Sequence, residues 1–266
     1  MTQIGHGNLQ TLLKIRIEEA PFPQDFRSVL AKECTLSPQF FHRDEEGNTK
    51  NGEPLIRIMG WKGWVGVLAS GDEGMEILRV SLREILPVVA REFGVPKIEM
   101  THSWQRAFPL SSGQEHYFVP ALVVKCRTPR RKSSDEKKLA EDVLRSSLVR
   151  TAKTNGINPD LFTDSSFRME VESVLPATPL GIRRSTPEGP RMTSEEARKM
   201  RVVFKMNRSL QGHWFVGNLT SRGYGRIVQL HDEDSAKPRV VAEMARPILK
   251  QVEEDRLEEM GAPQWI

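Results

Sequence analysis

The chain has 266 residues, 38% of them hydrophobic and 28% charged, with a formal net charge of +4, which is enough for one large domain or two of about 130 residues. No apolar run approaches the ~18 residues needed to span a membrane, and the first ten residues lack the apolar stretch of a secretory leader, so a soluble, cytoplasmic protein with no membrane partner is expected. The two cysteines, Cys34 and Cys126, have no metal-ligand spacing, so they are expected to be buried thiols, with no metal and no cofactor.

In chain order, Leu12 to Glu18 alternates as a strand, Phe26 to Cys34 reads as a short helix, and Pro54 to Ser70 reads as two strands joined through Gly60, Trp61, Lys62 and Gly63. Leu78, Leu82, Ile85, Leu86, Val89 and Phe93 recur at three- and four-residue steps, the stripe of an amphipathic helix, with Pro87 inside it as an expected kink. Gly94-Val95-Pro96 ends that helix and Lys97 to Trp104 returns as a strand. The order is β-α-β-β-α-β, the ferredoxin-like succession, in which both helices cover one face of an antiparallel sheet and the other face is left for a ligand.

A second pass starts at the apolar strand Tyr117 to Arg127. Ser133-x-x-Glu136 has the form of a capping box before a helix whose stripe is Leu139, Val143, Leu144 and Leu148, ending near Asn155-Gly156. Phe167 to Leu175 and Arg201 to Met206 read as strands, and Ala236 to Met260 as a helix. Between the strands, Pro176 to Met200 is rich in Pro, Gly and Arg, with a short helix expected from Thr193-x-x-Glu196. It is either an RNA-facing projection or a disordered insertion. The fold class is therefore α+β, two tandem ferredoxin-like (RRM-like) domains at 1–112 and 113–266, with a basic helical projection in the second.

Charge is uneven: cations dominate from Lys125 to Lys153 and again from Arg183 to Arg226, which suggests a polyanionic partner. The run from Gly212 to Val228 reads as a strand hairpin around Gly217 in which Arg222 and Arg226 flank Tyr224. Guanidinium groups suit phosphates and a tyrosine ring stacks on a base, so the run is a candidate RNA contact; a plain glycine-relieved hairpin is the alternative. Lys62, Trp64, Arg127, Arg130, Arg131, Lys132, Arg183 and Arg184 complete the candidate RNA-binding set.

The paired halves, the segment Pro54 to Ile58 through Gly63-Trp64-Val65, and Arg222-Gly223-Tyr224-Gly225-Arg226 together resemble the CRISPR repeat-processing endoribonucleases of the repeat-associated superfamily, in the type IV branch. The resemblance implies metal-independent cleavage of precursor RNA at a repeat stem-loop by 2′-hydroxyl attack, retention of the mature guide, and other CRISPR effector subunits as partners, with Arg127, Arg130, Arg131, Lys132, Arg183 and Arg184 expected on the stem backbone and Arg222, Tyr224 and Arg226 near the cut. Many members use a histidine near the first helix, often with a tyrosine. Here His42 follows the first helix beside Arg43, but no tyrosine precedes Tyr117. The catalytic candidates are Arg27, His42 and Arg43, with Arg246 on the C-terminal helix; a noncatalytic guide-end-binding subunit and a tandem RNA-recognition regulator are the alternatives.

Overall fold

The computed structural model describes residues 7–17, 21, 23–61, 63–125, 135–186 and 189–230. Its first half runs β1 (Leu9–Arg16), α1 (Pro23–Glu33), β2 (Ile56–Trp61), β3 (Trp64–Ser70), α2 (Gly71–Phe93) and β4 (Lys97–Trp104), the succession that the sequence predicts. These strands form an antiparallel sheet in the order β2-β3-β1-β4. Strand alternation decides what faces what. Leu13, Ile15, Ile58, Val65 and Val67 point to one side, where Phe26 and Leu30 of α1 and Leu78, Ile85 and Val89 of α2 close a core. Pro87 does not interrupt α2, which continues for six residues beyond it; the ring lies on an exposed side of the helix.

The second half contains β6 (Glu115–Lys125), α3 (Glu136–Thr154), β7 (Met169–Thr186), β8 (Gly189–Met206) and β10 (Val228–Leu230), and its sheet order is β10-β6-β8-β7. α3 packs Ala140, Leu144 and Leu148 against Val119, Leu122, Val202 and Phe204. Its N-cap is Asp135, whose carboxylate accepts from the Lys138 amide at 3.0 Å, so the cap lies two residues beyond the expected Ser133. A small sheet joins the halves: β5 (Arg106–Pro109) pairs with β9 (Arg208–Gln211).

The structure corrects several expectations. The segment 176–200 is neither an irregular loop nor the site of a helix at Thr193; it belongs to the long β7–β8 hairpin, closed by the pair Thr186↔Gly189. Among the described residues β6 accompanies this hairpin as far as Lys125↔Ala197, and the outer part of the hairpin is a pair of strands rather than a helical projection. No strand hairpin forms around Gly217: residues 212–227 are a loop with one isolated bridge, Phe215↔Arg226, and a 3-10 turn at Thr220–Arg222. Nor is the second face of the first sheet left open, because Leu12, Met59 and Leu68 on that face pack against Phe215. Cys34 is half-buried rather than buried, and Cys126 lies outside the described residues. The expected helix 236–260 lies outside them as well.

The loop that covers the first sheet also packs on the second. Trp214 and Val216 enter the second core while Phe215 between them points to the first sheet, an alternation that places one short segment between two layers. Leu219 and Tyr224 pack on Val123 and Ala197, and the Gly225 amide donates to the Ala121 carbonyl at 2.7 Å. Among the described residues no helix is long and apolar enough to cross a membrane.

Candidate active site

α1 carries Arg27 on its half-buried side. Its guanidinium donates to the Phe41 carbonyl at 2.8 Å, lies 4.9 Å from the centre of the Phe41 ring, and reaches the Ser221 carbonyl at 3.5 Å. One side chain thus touches the turn before His42 and the turn before Arg222. Burial lowers the Arg27 pKa to about 10, helped by the positive charges of Arg222 and Arg43. Arg222 is itself lowered, first by burial, with Arg43 again opposing its charge. Three arginines separated widely in sequence are therefore electrostatic neighbours.

His42 closes the 3-10 turn Pro38–Phe41 in a left-handed conformation, φ 59° and ψ 45°. Its amide donates to Gln39, its carbonyl accepts from Lys50 at 3.1 Å, and Arg43 bridges to Thr49, so the loop folds back on the histidine. The imidazole is half-buried, and desolvation lowers its pKa below the ordinary 6.5, followed by the Arg57 charge; Glu53 opposes and Arg27 reinforces the lowering. At neutral pH the ring is in its neutral form, able to accept a proton.

Tyr224 comes from the second half, yet its hydroxyl donates to the Gln24 side chain at 3.1 Å, one turn before Arg27 on α1. A tyrosine from the loop between the sheets thus reaches the first turn of α1. Gly223 allows this approach: a Cβ there would fall 2.5 Å from the Ile58 carbonyl oxygen, and its φ of +87° is one that side chains avoid.

The other candidates separate. Arg226 lies 5.9 Å over the Trp64 ring, which Lys14 also approaches at 5.1 Å, and burial lowers its pKa. Beside it His213, unremarked in the sequence, has its pKa pushed down to about 4, chiefly by burial and then by Arg226. Arg183 and Arg184 are on the outer part of β7, opposite Met192 and Arg191 of β8. Lys62, Arg127, Arg130, Arg131, Lys132 and Arg246 lie outside the described residues. Tyr117 is in the second core, stacked on Phe204, with its hydroxyl hydrogen-bonded to Glu115 and the Arg208 carbonyl and its pKa raised, first by burial. It presents no exposed ring for a base.

Sequence reasoning also missed the tie between the halves. Glu53, just before β2, receives Arg57 of β2 at 2.6 Å and Arg150 of α3 at 3.0 Å, with both Glu53 and Arg57 side chains buried. Arg57 lies 5.0 Å over the ring of Phe215. A Glu and an Arg four residues apart were the only trace of this in the sequence, and outside a helix that spacing is uninformative.

A family model described as type IV CRISPR-associated endonuclease Csf5 matches residues 9–232. Among solved structures, the chain is similar to one described as Csf5, a CRISPR-Cas type IV Cas6 crRNA endonuclease, at 27% identity and a TM-score of 0.69, over 84% of this chain and 100% of that one. A Cas6b crystal structure shares the fold at 12% identity and a TM-score of 0.57, over 84% of this chain and 100% of that one. No curated protein sequence matches.

Proposed function

The chain belongs to the type IV CRISPR-associated endonucleases, and on that premise we propose that it cuts CRISPR precursor RNA at a repeat stem-loop without a metal ion and retains the mature guide, through which it joins other effector subunits. In this reading its two sheets are tandem ferredoxin-like modules, and the cut is made where the loop between them meets α1. The 2′-oxygen of the nucleotide before the cut attacks the adjacent phosphorus. A bond from the 2′-oxygen to phosphorus forms as the bond to the 5′-oxygen breaks, leaving a 2′,3′-cyclic phosphate and a 5′-hydroxyl. His42 accepts the 2′-hydroxyl proton, and the departing 5′-oxygen takes a proton from water. Arg27, Arg43 and Arg222 offset the added negative charge of the phosphorane, and Tyr224 stacks or hydrogen-bonds beside the scissile linkage.

The observation that carries this reading is the convergence of three mutually repelling guanidinium groups near a histidine that burial keeps neutral. Such repulsion is unfavourable in the free protein and is relieved by a bound phosphate, which is what a site for a polyanion requires. Purified protein incubated with an end-labelled repeat hairpin in EDTA is expected to make one cut bearing a cyclic end. Tight binding with no cut would replace this reading with a noncatalytic guide-end-binding subunit. His42→Ala should slow cleavage at least ~100-fold, the ordinary contribution of a general base, with hairpin affinity retained. Full activity would remove His42 from the mechanism.

A further inference from the structure

Glu53 is a buried carboxylate held by two arginines from different halves of the chain. On one side Arg57 binds it at 2.6 Å while also donating to the Pro54 carbonyl at 2.8 Å and resting over Phe215. On the other side Arg150 binds it at 3.0 Å while donating to the Gly217 carbonyl at 3.2 Å. Both arginines therefore reach the loop 212–227 that carries Arg222 and Tyr224, and Glu53 holds them in common. It also stands at the end of the loop that folds back on His42 through the Lys50 amide and the Arg43–Thr49 bridge.

We infer that Glu53 is a positioning residue of the cleavage site: through Arg57 and Arg150 it fastens the loop bearing Arg222 and Tyr224 to the first half, and its negative charge balances the cations around His42. The inference rests on the role proposed for His42. The charged groups acting on that imidazole are Arg57 from β2, Arg27 from α1 and Glu53 itself, with the Lys50 backbone as the remaining contact. Glu53 is the only anion in this set, so removing its charge leaves cations alone to oppose protonation. A carboxylate that merely filled space would have no such effect.

The test is to titrate the His42 ring by NMR in the full chain, assigning its signal by its disappearance in His42→Ala, and to measure single-turnover cleavage of the repeat hairpin against pH. Glu53→Gln is expected to lower the His42 titration midpoint, to move the acid limb of the cleavage profile in the same direction, and to slow cleavage at neutral pH about 10-fold, with hairpin Kd within about twofold. Glu53→Asp keeps the charge and should restore the midpoint. Should Glu53→Gln fail to fold, Arg150→Gln carries the test, because that side chain is half exposed. It removes a cation from the same carboxylate, so the midpoint rises and cleavage slows. Midpoints unmoved in the folded variants would overturn the inference even if His42→Ala is inactive. Midpoints that move as expected while His42→Ala cuts at full rate would instead overturn the role of His42, and with it the catalytic meaning of Glu53.

Discussion

His42 and Arg27 show how one burial event serves two kinds of side chain. Desolvation disfavours charge on both, so the imidazole stays neutral while the guanidinium, lowered to about 10, remains a cation at neutral pH. Acceptor and charge stabiliser thus coexist in one partly buried site. The folded His42 pKa lies below its ordinary value, so its base form persists as pH falls through that value and is lost only below it. Single-turnover cleavage should therefore stay level from pH 8 to about 6.5 and decline at lower pH, as set by the ordinary histidine pKa and the direction of its shift. A profile that halves at pH 7 or above would contradict a neutral, partly buried base. His213, held neutral still further into acid, is not expected to contribute a limb in that range.

At the scale of elements, the loop 212–227 carries much of the architecture and has almost no regular structure. Its backbone is satisfied instead by specific long-range bonds: Val216 and Gly225 close on each other, the Asn218 amide reaches Val123, and the Ser147 hydroxyl accepts from the Gly217 amide. Gly225 shows how tight this is, since an added Cβ would lie 1.8 Å from the Val216 carbonyl oxygen at a φ of +75°. Gly225→Ala should therefore destabilise the protein by about 2 kcal/mol or more, combining left-handed backbone strain with a displaced backbone neighbour. Urea denaturation checks this; a change within about 0.5 kcal/mol, the range of ordinary surface substitutions, would mean that the loop yields without cost. The β7–β8 hairpin makes the opposite point. Its prolines and glycines read as a loop, but β7 is the edge of the described sheet, and an edge strand accepts proline where the missing amide would face away from its neighbour. Pro176 falls in the register shift between Leu175 and Thr178. Thr193 and Glu196, read as a helix start, lie within β8.

For the whole molecule, the two sheets hold a shared loop between them, and among the described residues the β7–β8 hairpin extends past the last pair of β6 by about 25 Å at the usual rise per residue. A hairpin of that length carrying Arg183 and Arg184 suits the proposed grip on a repeat stem, distinct from the site of cutting. The double substitution Arg183→Ala with Arg184→Ala should weaken hairpin binding and reduce the steepness of its salt dependence by about 0.7–0.9 for each phosphate that is no longer neutralised, while cleavage at saturating RNA keeps its rate. Filter binding across a salt series measures this, and an unchanged slope would take both arginines off the stem. By itself, the sequence determined the β-α-β-β-α-β order of the first half and the stripe of α2, because hydrophobic periodicity is local and a strand or helix writes it into consecutive positions, while Arg27, His42 and Arg43 were candidates through the family resemblance. Only the tertiary structure decided that Arg222 and Tyr224 join Arg27 and Arg43, that Arg226 goes instead to Trp64 and His213, and that Glu53 binds an arginine from each half. Those meetings depend on how two sheets close on one loop, and packing between residues so far apart in the chain leaves no periodic trace in either segment.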